Sequence, residues 1–225
     1  MAGSEHAMML CAVLDCMLLG VSNMNRVKDK VALVTGGALG LGRADSLLLA
    51  REGAKVVVTD LREKEGGEVV AQIKAAGGQA IFFKHDVGSE QDWVRVIEQT
   101  KRTYERLDVV VNNAGLGTPG TVESTTLEEW HRLLRVNLDG VFLGTKHAVL
   151  AMKAQRSGSI INMSSIEGLV GDPALAAYNA SKGGVRLFTK SAALHCGMSG
   201  YGIRVNSIPR KRCVNHTLRQ LGSPT

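Results

Sequence analysis

Proline and aromatic residues are scarce in this sequence: the 225 residues include only four prolines, and 4% are aromatic. Glycine, by contrast, occurs 26 times. A chain of this length can fold as one domain around a sizeable core. Few prolines and many glycines fit a chain in which strands and helices alternate and are joined by glycine-rich turns. They fit an all-β sandwich less well. We therefore predict a single α/β domain.

The sequence also lacks the patterns that mark nucleic-acid and metal sites. Its formal charge is +6, but part of that excess lies in residues 209–225, and no basic stripe is interleaved with aromatics. The six histidines are scattered without the spacing of metal ligands. We therefore expect no nucleic-acid partner and no metal.

Long apolar runs and closely spaced cysteines are missing as well. The most apolar stretch, from Ala7 to Val21, is too short to span a bilayer, contains Asp15 and has no basic residue before it. The four cysteines form no C-x-x-C pair, which fits free thiols in a reducing cytoplasm. We expect a cytoplasmic protein that does not enter the membrane, with residues 1–24 as a loose extension.

A glycine-rich segment follows the first apolar run of the body. Residues 31–34 predict a buried strand, residues 43–52 predict a helix, and Gly36, Gly40 and Gly42 lie between them. Such glycines let the backbone approach a pyrophosphate, and the helix N-terminus offers N–H groups and a positive dipole end. We predict a dinucleotide-binding loop; a tight turn that binds nothing is the alternative.

Two acidic residues follow the next two predicted strands. Asp60 ends the second strand, where a carboxylate can accept hydrogen bonds from the adenosine ribose and repel a 2′-phosphate. This favours NAD over NADP, although Arg62 lies two residues on and Asp60 has an alternative role as a helix cap. Asp86 follows the third strand and either meets the adenine or caps the helix that starts near Ser89.

Tyr178 and Lys182 are four residues apart, so they share one face of a predicted helix. A phenol has a pKa of about 10, and an ammonium group beside it favours the phenolate and lowers that pKa. The strand before this helix ends in Ser164 and Ser165, where a hydroxyl can orient a substrate oxygen. These groups suit proton transfer to or from an alcohol oxygen. The spacing alone is common in helices, so the rest of the chain decides its meaning.

Six apolar strand patterns alternate with helical patterns and predict a doubly wound, Rossmann-like parallel sheet. Ligands bind such sheets outside the carboxyl ends of the strands, where every candidate above lies. Asn137 is an exception, because it falls inside a helix predicted over residues 127–155, where asparagine is mildly unfavourable. The strands are predicted over residues 31–34, 55–60, 79–84, 107–111, 159–163 and 203–207.

From about residue 27 to residue 208 the sequence resembles the short-chain dehydrogenase/reductase family, in its NAD-preferring class. The glycine loop is similar to the family's T-G-x-x-x-G-x-G motif, and residues 112–115 are similar to its N-N-A-G motif. Within the family it resembles cyclopentanol dehydrogenases and bacterial 3α,20β-hydroxysteroid dehydrogenases. The resemblance implies catalytic roles for Asn137, Ser165, Tyr178 and Lys182. It implies cofactor contacts from Gly36, Gly40, Leu41, Gly42, Asp60, Asp86, Val87, Asn113, Ala114, Gly115, Tyr178 and Lys182.

The resemblance also implies a reaction, in which a hydride passes between NAD(H) and a secondary alcohol or ketone. Tyr178 exchanges a proton with the substrate oxygen, and Lys182 lowers the tyrosine pKa and holds the nicotinamide ribose. Ser165, chosen over Ser164 because it lies thirteen residues before the tyrosine, positions the substrate oxygen. Asn137 supports a water relay. Family members are commonly tetramers with one interface on the two long helices, so a homo-oligomer, dimer or tetramer, is expected.

The chain departs from the family after Ile208. Where the family continues with Pro-Gly, a substrate lid and a seventh strand, this sequence has Pro209, Arg210 and a basic, polar ending. We expect that the usual ending has been replaced, that residues 25–208 form the catalytic domain without its last strand, and that residues 209–225 are an atypical tail. The sixth strand would then be a sheet edge.

Two alternative functions remain open. Loss of the lid favours a dinucleotide-binding protein without turnover. An NADPH-dependent 3-oxoacyl-carrier-protein reductase shares the fold and the catalytic residues, but Asp60 argues against it.

Overall fold

The computed structural model describes residues 25–210. These residues form one parallel sheet of six strands in the order β3-β2-β1-β4-β5-β6. The predicted doubly wound sheet is therefore confirmed. The strands are β1 Val31–Thr35, β2 Lys55–Asp60, β3 Gln79–Lys84, β4 Val109–Asn112, β5 Gly158–Ser165 and β6 Ile203–Arg210.

Helices cover both faces of this sheet. They are α1 Gly40–Arg51, α2 Glu63–Ala75, α3 Glu90–Tyr104, α4 Leu127–Leu134, α5 Gly140–Met152 and α6 Ala176–Met198. Neighbouring strand residues such as Leu33 and Val34 enter different core clusters. One cluster includes Trp93 of α3 and Cys196 of α6, and the other includes Ile73 of α2. Because both of their faces are buried, β1 and the centres of β2 and β4 are continuously apolar. The edge strand β6 instead alternates buried and exposed residues at its start.

A π-helical segment, Arg135–Asp139, interrupts the single long helix that the sequence predicts. It separates α4 from α5, and a short 3₁₀ turn, Lys153–Gln155, follows α5. Asn137 lies in this segment with its side chain completely buried. Such wide turns often mark functional sites, and here the turn replaces the continuous helix expected over residues 127–155.

Strand β6 continues to Arg210, beyond its predicted end at residue 207. Its last residues pair in register with β5, so that Met163 lies opposite Ile208 and Ser165 lies opposite Arg210. Pro209 interrupts strand patterns because it has no N–H, but a strand at a sheet edge tolerates this loss. Among the described residues β6 has β5 as its one neighbour, so it is such an edge.

Three observations concern residues 25–210 alone. No helix in this range is long and apolar enough to cross a membrane. No group of three or more His, Cys, Asp or Glu side chains in the same range is arranged to hold a metal ion. Cys196 is a buried free thiol, and the other three cysteines lie outside the described residues.

Candidate active site

The carboxyl ends of β1, β4, β5 and β6 surround one cavity of about 460 Å³. This volume lies in the range of ordinary small-molecule sites. Residues predicted from four separate parts of the chain meet here, which is what the sheet topology requires of loops at one edge. Seven of the predicted site residues line the cavity: Gly40, Leu41, Asn113, Gly115, Ser165, Tyr178 and Lys182.

The glycine loop between β1 and α1 needs glycine for its shape. Gly36 and Gly40 have φ angles of +62° and +53°, in the left-handed region that other residues rarely adopt. A Cβ atom on Gly42 would collide with the carbonyl oxygen of Gly36. Leu39 stands at the N-cap position of α1 without a side-chain hydrogen bond, so the first N–H groups of the helix stay available to an anion.

Asn113 and Ala114, just after β4, hold the loop in this shape. The Asn113 side chain donates from Nδ2 to the carbonyl oxygens of Thr35 and Gly36, at 2.9 and 3.2 Å. The backbone N–H groups of Asn113 and Ala114 donate to Thr35 Oγ1, at 3.0 and 3.1 Å. These two residues therefore shape the glycine loop through Thr35, which opens the T-G-x-x-x-G-x-G motif but was not predicted as a site residue.

Asp60 lies at the end of β2, against the same loop. Its Oδ2 accepts a hydrogen bond from the Ala38 N–H at 3.2 Å, and its Oδ1 accepts one from the Arg62 N–H at 3.1 Å. Arg62 itself occupies the N-cap position of α2, so the alternative role of Asp60 as that helix cap is not observed. The carboxylate instead faces the loop where the predicted ribose would bind.

Asp86 and Val87 follow β3 and lie outside the cavity lining. Asp86 accepts hydrogen bonds from Arg135 Nη2 at 2.6 Å and from the Gly88 N–H at 2.9 Å. Burial opposes ionisation of this carboxyl, but these two donors outweigh it and hold its pKa below the ordinary value. Ser89 caps α3, so the alternative role of Asp86 as that cap is wrong. Val87 is buried in the core.

Tyr178 and Lys182 line the cavity side by side, one turn apart on α6. Lys182 Nζ lies 5.8 Å from the centroid of the Tyr178 ring and donates to the Met163 carbonyl oxygen at 2.8 Å. Lys182 is 5% exposed, and this burial lowers its pKa to about 8. The ammonium group is thus fixed beside the phenol in a poorly solvated position.

The two serines at the end of β5 have different surroundings. Ser164 donates to the Lys182 carbonyl oxygen at 3.0 Å, within α6. Ser165 Oγ contacts the Glu167 carboxylate and the Arg210 carbonyl oxygen, the latter at 3.2 Å. A hydroxyl has one proton, so a substrate oxygen must compete with these acceptors for it. Both serines line the cavity, so the choice of Ser165 over Ser164 stays a prediction.

Asn137 holds the backbone at one wall of the cavity. Its Oδ1 accepts from the Leu116 N–H at 2.7 Å, and its Nδ2 donates to the Leu116 carbonyl oxygen at 2.9 Å. Nδ2 also reaches Ser181 Oγ of α6 at 3.2 Å. A Cβ atom on Gly115 would lie 3.2 Å from Asn137 Oδ1, so a larger residue there would crowd this contact. In this structure Asn137 therefore positions the segment after β4 against α6.

Glu167 and Arg210 also belong to the site, although neither was predicted. Glu167 lies two residues after Ser165 in a short 3₁₀ turn, Ile166–Gly168, and that proximity was the available signal. Arg210 lines the cavity only because β6 extends past Pro209.

Known proteins match this chain over most of its length. The family model described as short chain dehydrogenase matches residues 30–211. The NADP-dependent (R)-specific alcohol dehydrogenase of Lentilactobacillus kefiri is 50% identical over 187 residues, which cover 82% of this chain and 73% of that protein. The cyclopentanol dehydrogenase of Comamonas testosteroni is 48% identical over 185 residues, with the same two coverages. The 3-alpha-(or 20-beta)-hydroxysteroid dehydrogenase of Mycobacterium tuberculosis is 46% identical over 183 residues, 81% of this chain and 68% of that protein.

A solved structure of another protein has a similar fold. The crystal structure of a short chain dehydrogenase from Mycobacterium smegmatis superposes with a TM-score of 0.79 and 35% sequence identity. The match covers 82% of this chain and 77% of that chain. The sheet order, the glycine loop and the cavity all lie within the matched range, and the chain belongs to the short-chain dehydrogenase family.

Proposed function

We propose that this chain transfers a hydride between NAD(H) and a secondary alcohol or ketone. The observation that carries the proposal is the placement of Tyr178, Lys182 and Ser165 around the cavity that also receives the glycine loop. The dinucleotide supplies the hydride chemistry when it binds, and the protein supplies geometry and electrostatics. Relatives named as alcohol, cyclopentanol and hydroxysteroid dehydrogenases support a secondary alcohol as the substrate.

The proposed roles follow from the contacts of each side chain. Tyr178 exchanges a proton with the substrate oxygen, and Lys182 lies beside its ring with Nζ 5.8 Å from the centroid. Ser165 orients the substrate oxygen through its hydroxyl. Leu116 and Leu175 line the same cavity, which supports a substrate with an apolar ring or chain.

The residues present fit a dinucleotide. The N-terminus of α1 has no side-chain cap, so its first N–H groups suit a diphosphate. The glycine loop before it keeps its tight shape only without a Cβ atom at Gly42. Asp60 suits the adenosine ribose hydroxyls. The small residues Ala114 and Gly115 would allow a flat ring to lie against the backbone after β4.

The test is a turnover assay on purified protein with NAD⁺ and a panel of cyclic secondary alcohols, followed by NADH absorbance. NADH binding is measured in parallel by fluorescence. The proposal predicts both binding and turnover. Binding without turnover would contradict it and favour a dinucleotide-binding protein, the second function considered from the sequence.

Asp60 carries the proposed preference for NAD, and the Asp60→Ala variant tests it. We expect weaker NADH binding, because the variant loses hydrogen bonds to a charged group. Because it also loses a charge that repels the 2′-phosphate, the ratio of NADH affinity to NADPH affinity should fall at least about tenfold. The relative from L. kefiri is named NADP-dependent, so relatives do not decide this point. Fluorescence titration with both cofactors gives the ratio.

Glu63→Ala is the matched control, because it removes one acid at the start of α2 whose carboxylate pairs with Lys84. We expect it to leave the cofactor ratio unchanged. An unchanged ratio in Asp60→Ala would remove the role proposed for this carboxylate.

We also propose that two copies associate through α5 and α6. The outer faces of these helices expose Phe142, Leu150, Leu187 and Leu194, and surfaces of this kind commonly mark protein interfaces. Leu187 is 70% exposed, so Leu187→Glu should leave the fold intact. We expect the wild type to be a dimer or tetramer and Leu187→Glu to have a lower mass in light scattering after gel filtration.

Val122→Glu, in the exposed loop before α4, is the control and should keep the wild-type mass. A monomeric wild type, or a Leu187→Glu variant of unchanged mass, would contradict this interface.

A further inference from the structure

Arg210 joins the active-site cavity from the edge strand. It lies directly opposite Ser165 in the β5–β6 pairing, and its carbonyl oxygen accepts the Ser165 hydroxyl. Ile208 and Arg210 are two apart in a strand, so their side chains leave the same face of the sheet. Both line a groove together with Leu48 and Asp45 of α1, which places the Arg210 side chain on the α1 side.

The guanidinium group approaches the N-terminal half of α1. Its charge acts on the carboxyl of Asp45: burial raises the pKa of Asp45, and the Arg210 charge partly offsets that rise. Gly40 and Leu41, at the uncapped start of the same helix, line the active-site cavity with Arg210. A cationic side chain and free helix N–H groups therefore lie at one end of the cavity.

The charged residues that line the cavity itself are both positive, and the Glu167 carboxylate lies behind Ser165. Lys182 and Arg210 are the cavity's charged lining residues, and the lining contains no Asp or Glu. The Lys182 ammonium group lies over the Tyr178 ring and donates to the Met163 carbonyl oxygen. Within residues 25–210 the Arg210 guanidinium has no ion-pair or hydrogen-bond partner, and Asp45 acts on it only at longer range. Within the described part of the chain, its charge is therefore available to a ligand.

We propose that Arg210 binds an anionic group of a reactant in the active-site cavity, next to the N-terminus of α1. This inference rests on the proposed function, because the anionic groups considered are parts of the cofactor and the substrate of the proposed reaction. They are the diphosphate of the dinucleotide and a carboxylate on the substrate, and the planar donor fork of arginine suits both. Gly40 and Leu41 favour the diphosphate, since they belong to the predicted phosphate-binding loop.

The experiment compares the wild type with Arg210→Gln, using ADP-ribose as a probe that carries the diphosphate and lacks nicotinamide. We expect its Kd to rise about tenfold or more, as for the loss of a hydrogen bond to a charged group. We also expect a smaller dependence of Kd on salt concentration in the variant, because one charge pair is gone. Arg204→Gln is the matched control, since it removes an exposed arginine from the same strand.

A second arm identifies a substrate carboxylate. In turnover assays, Arg210→Gln would then raise KM for a cyclic hydroxycarboxylate and leave KM for the neutral cyclic alcohol unchanged, with ADP-ribose binding also unchanged. Either pattern supports the proposal. If Arg210→Gln keeps the wild-type Kd for ADP-ribose and the wild-type KM for the cyclic hydroxycarboxylate, the proposal is wrong.

Folding and the proposed function are controlled separately. Arg210→Lys keeps the charge at the edge strand, so it should retain the salt dependence of binding even if its Kd rises; loss of that dependence contradicts the proposal. If the wild type fails to bind ADP-ribose and NADH, the proposed function fails. If the wild type binds both and Arg210→Gln behaves like it, only the role of Arg210 fails.

Discussion

Tyr178→Phe is expected to remove measurable turnover of secondary alcohols, a loss of about 10²- to 10⁴-fold or more, while NADH still binds. The change deletes one hydroxyl group and keeps the ring that lines the cavity beside Lys182. Without that hydroxyl, the group proposed to exchange a proton with the substrate oxygen is missing. Steady-state turnover and NADH fluorescence titration on the same preparation measure the two effects.

Tyr201→Phe is the matched control. This tyrosine follows α6, packs edge to face with His195 and does not line the cavity. We expect it to keep wild-type turnover. Appreciable residual activity in Tyr178→Phe, with Tyr201→Phe unaffected, would show that Tyr178 is not the acid or base.

Lys182→Met is expected to lower turnover by a similar factor and to change the pH dependence of stability. Burial lowers the pKa of Lys182 from its ordinary value of 10.5 to about 8. The folded chain therefore binds fewer protons than the unfolded chain between these pH values, and wild-type stability gains from this group as pH rises from about 8 to 10.5. Below pH 8 the buried charge has its full cost.

The methionine variant has no such cost. We expect it to be more stable than the wild type at pH 7 by up to about 3 kcal/mol, and this difference should shrink toward pH 10.5. Urea unfolding of both proteins at pH 7 and pH 10 measures the difference. Lys190→Met, at an exposed lysine two turns further along α6, should show no comparable change with pH. A stability difference for Lys182→Met that is equal at both pH values would contradict the account of Lys182.

The parts of the site that local sequence determines were predictable. Tyr178 and Lys182 meet because four residues are one helical turn, and the glycine loop forms because Gly36 and Gly40 can adopt positive φ angles. Strands β1, β2 and β4 were recognisable because both of their faces are buried, which leaves continuous apolar runs. These features depend on chemistry within a few residues of each position.

The remaining features depend on partners far along the chain. Asn137 could be recognised as unusual in a helix, but its partners Leu116 and Ser181 come from segments that only the fold brings near it. Arg210 was placed in an atypical tail because the sequence departs from the family pattern after Ile208 and its ending is basic and polar. Strand β6 nevertheless continues past Pro209, because a sheet edge tolerates the missing N–H.

The central claim is hydride transfer at this cavity, and a labelled cofactor tests it most directly. The purified chain is incubated with a cyclic ketone and NADH deuterated at C4 of the nicotinamide ring, with separate samples for the two C4 positions. Mass spectrometry then locates deuterium in the alcohol product. The account predicts deuterium on the carbinol carbon from one of the two labelled cofactors and none with Tyr178→Phe. An NADH-bound protein that forms no alcohol, or an alcohol without the label from either cofactor, would contradict it.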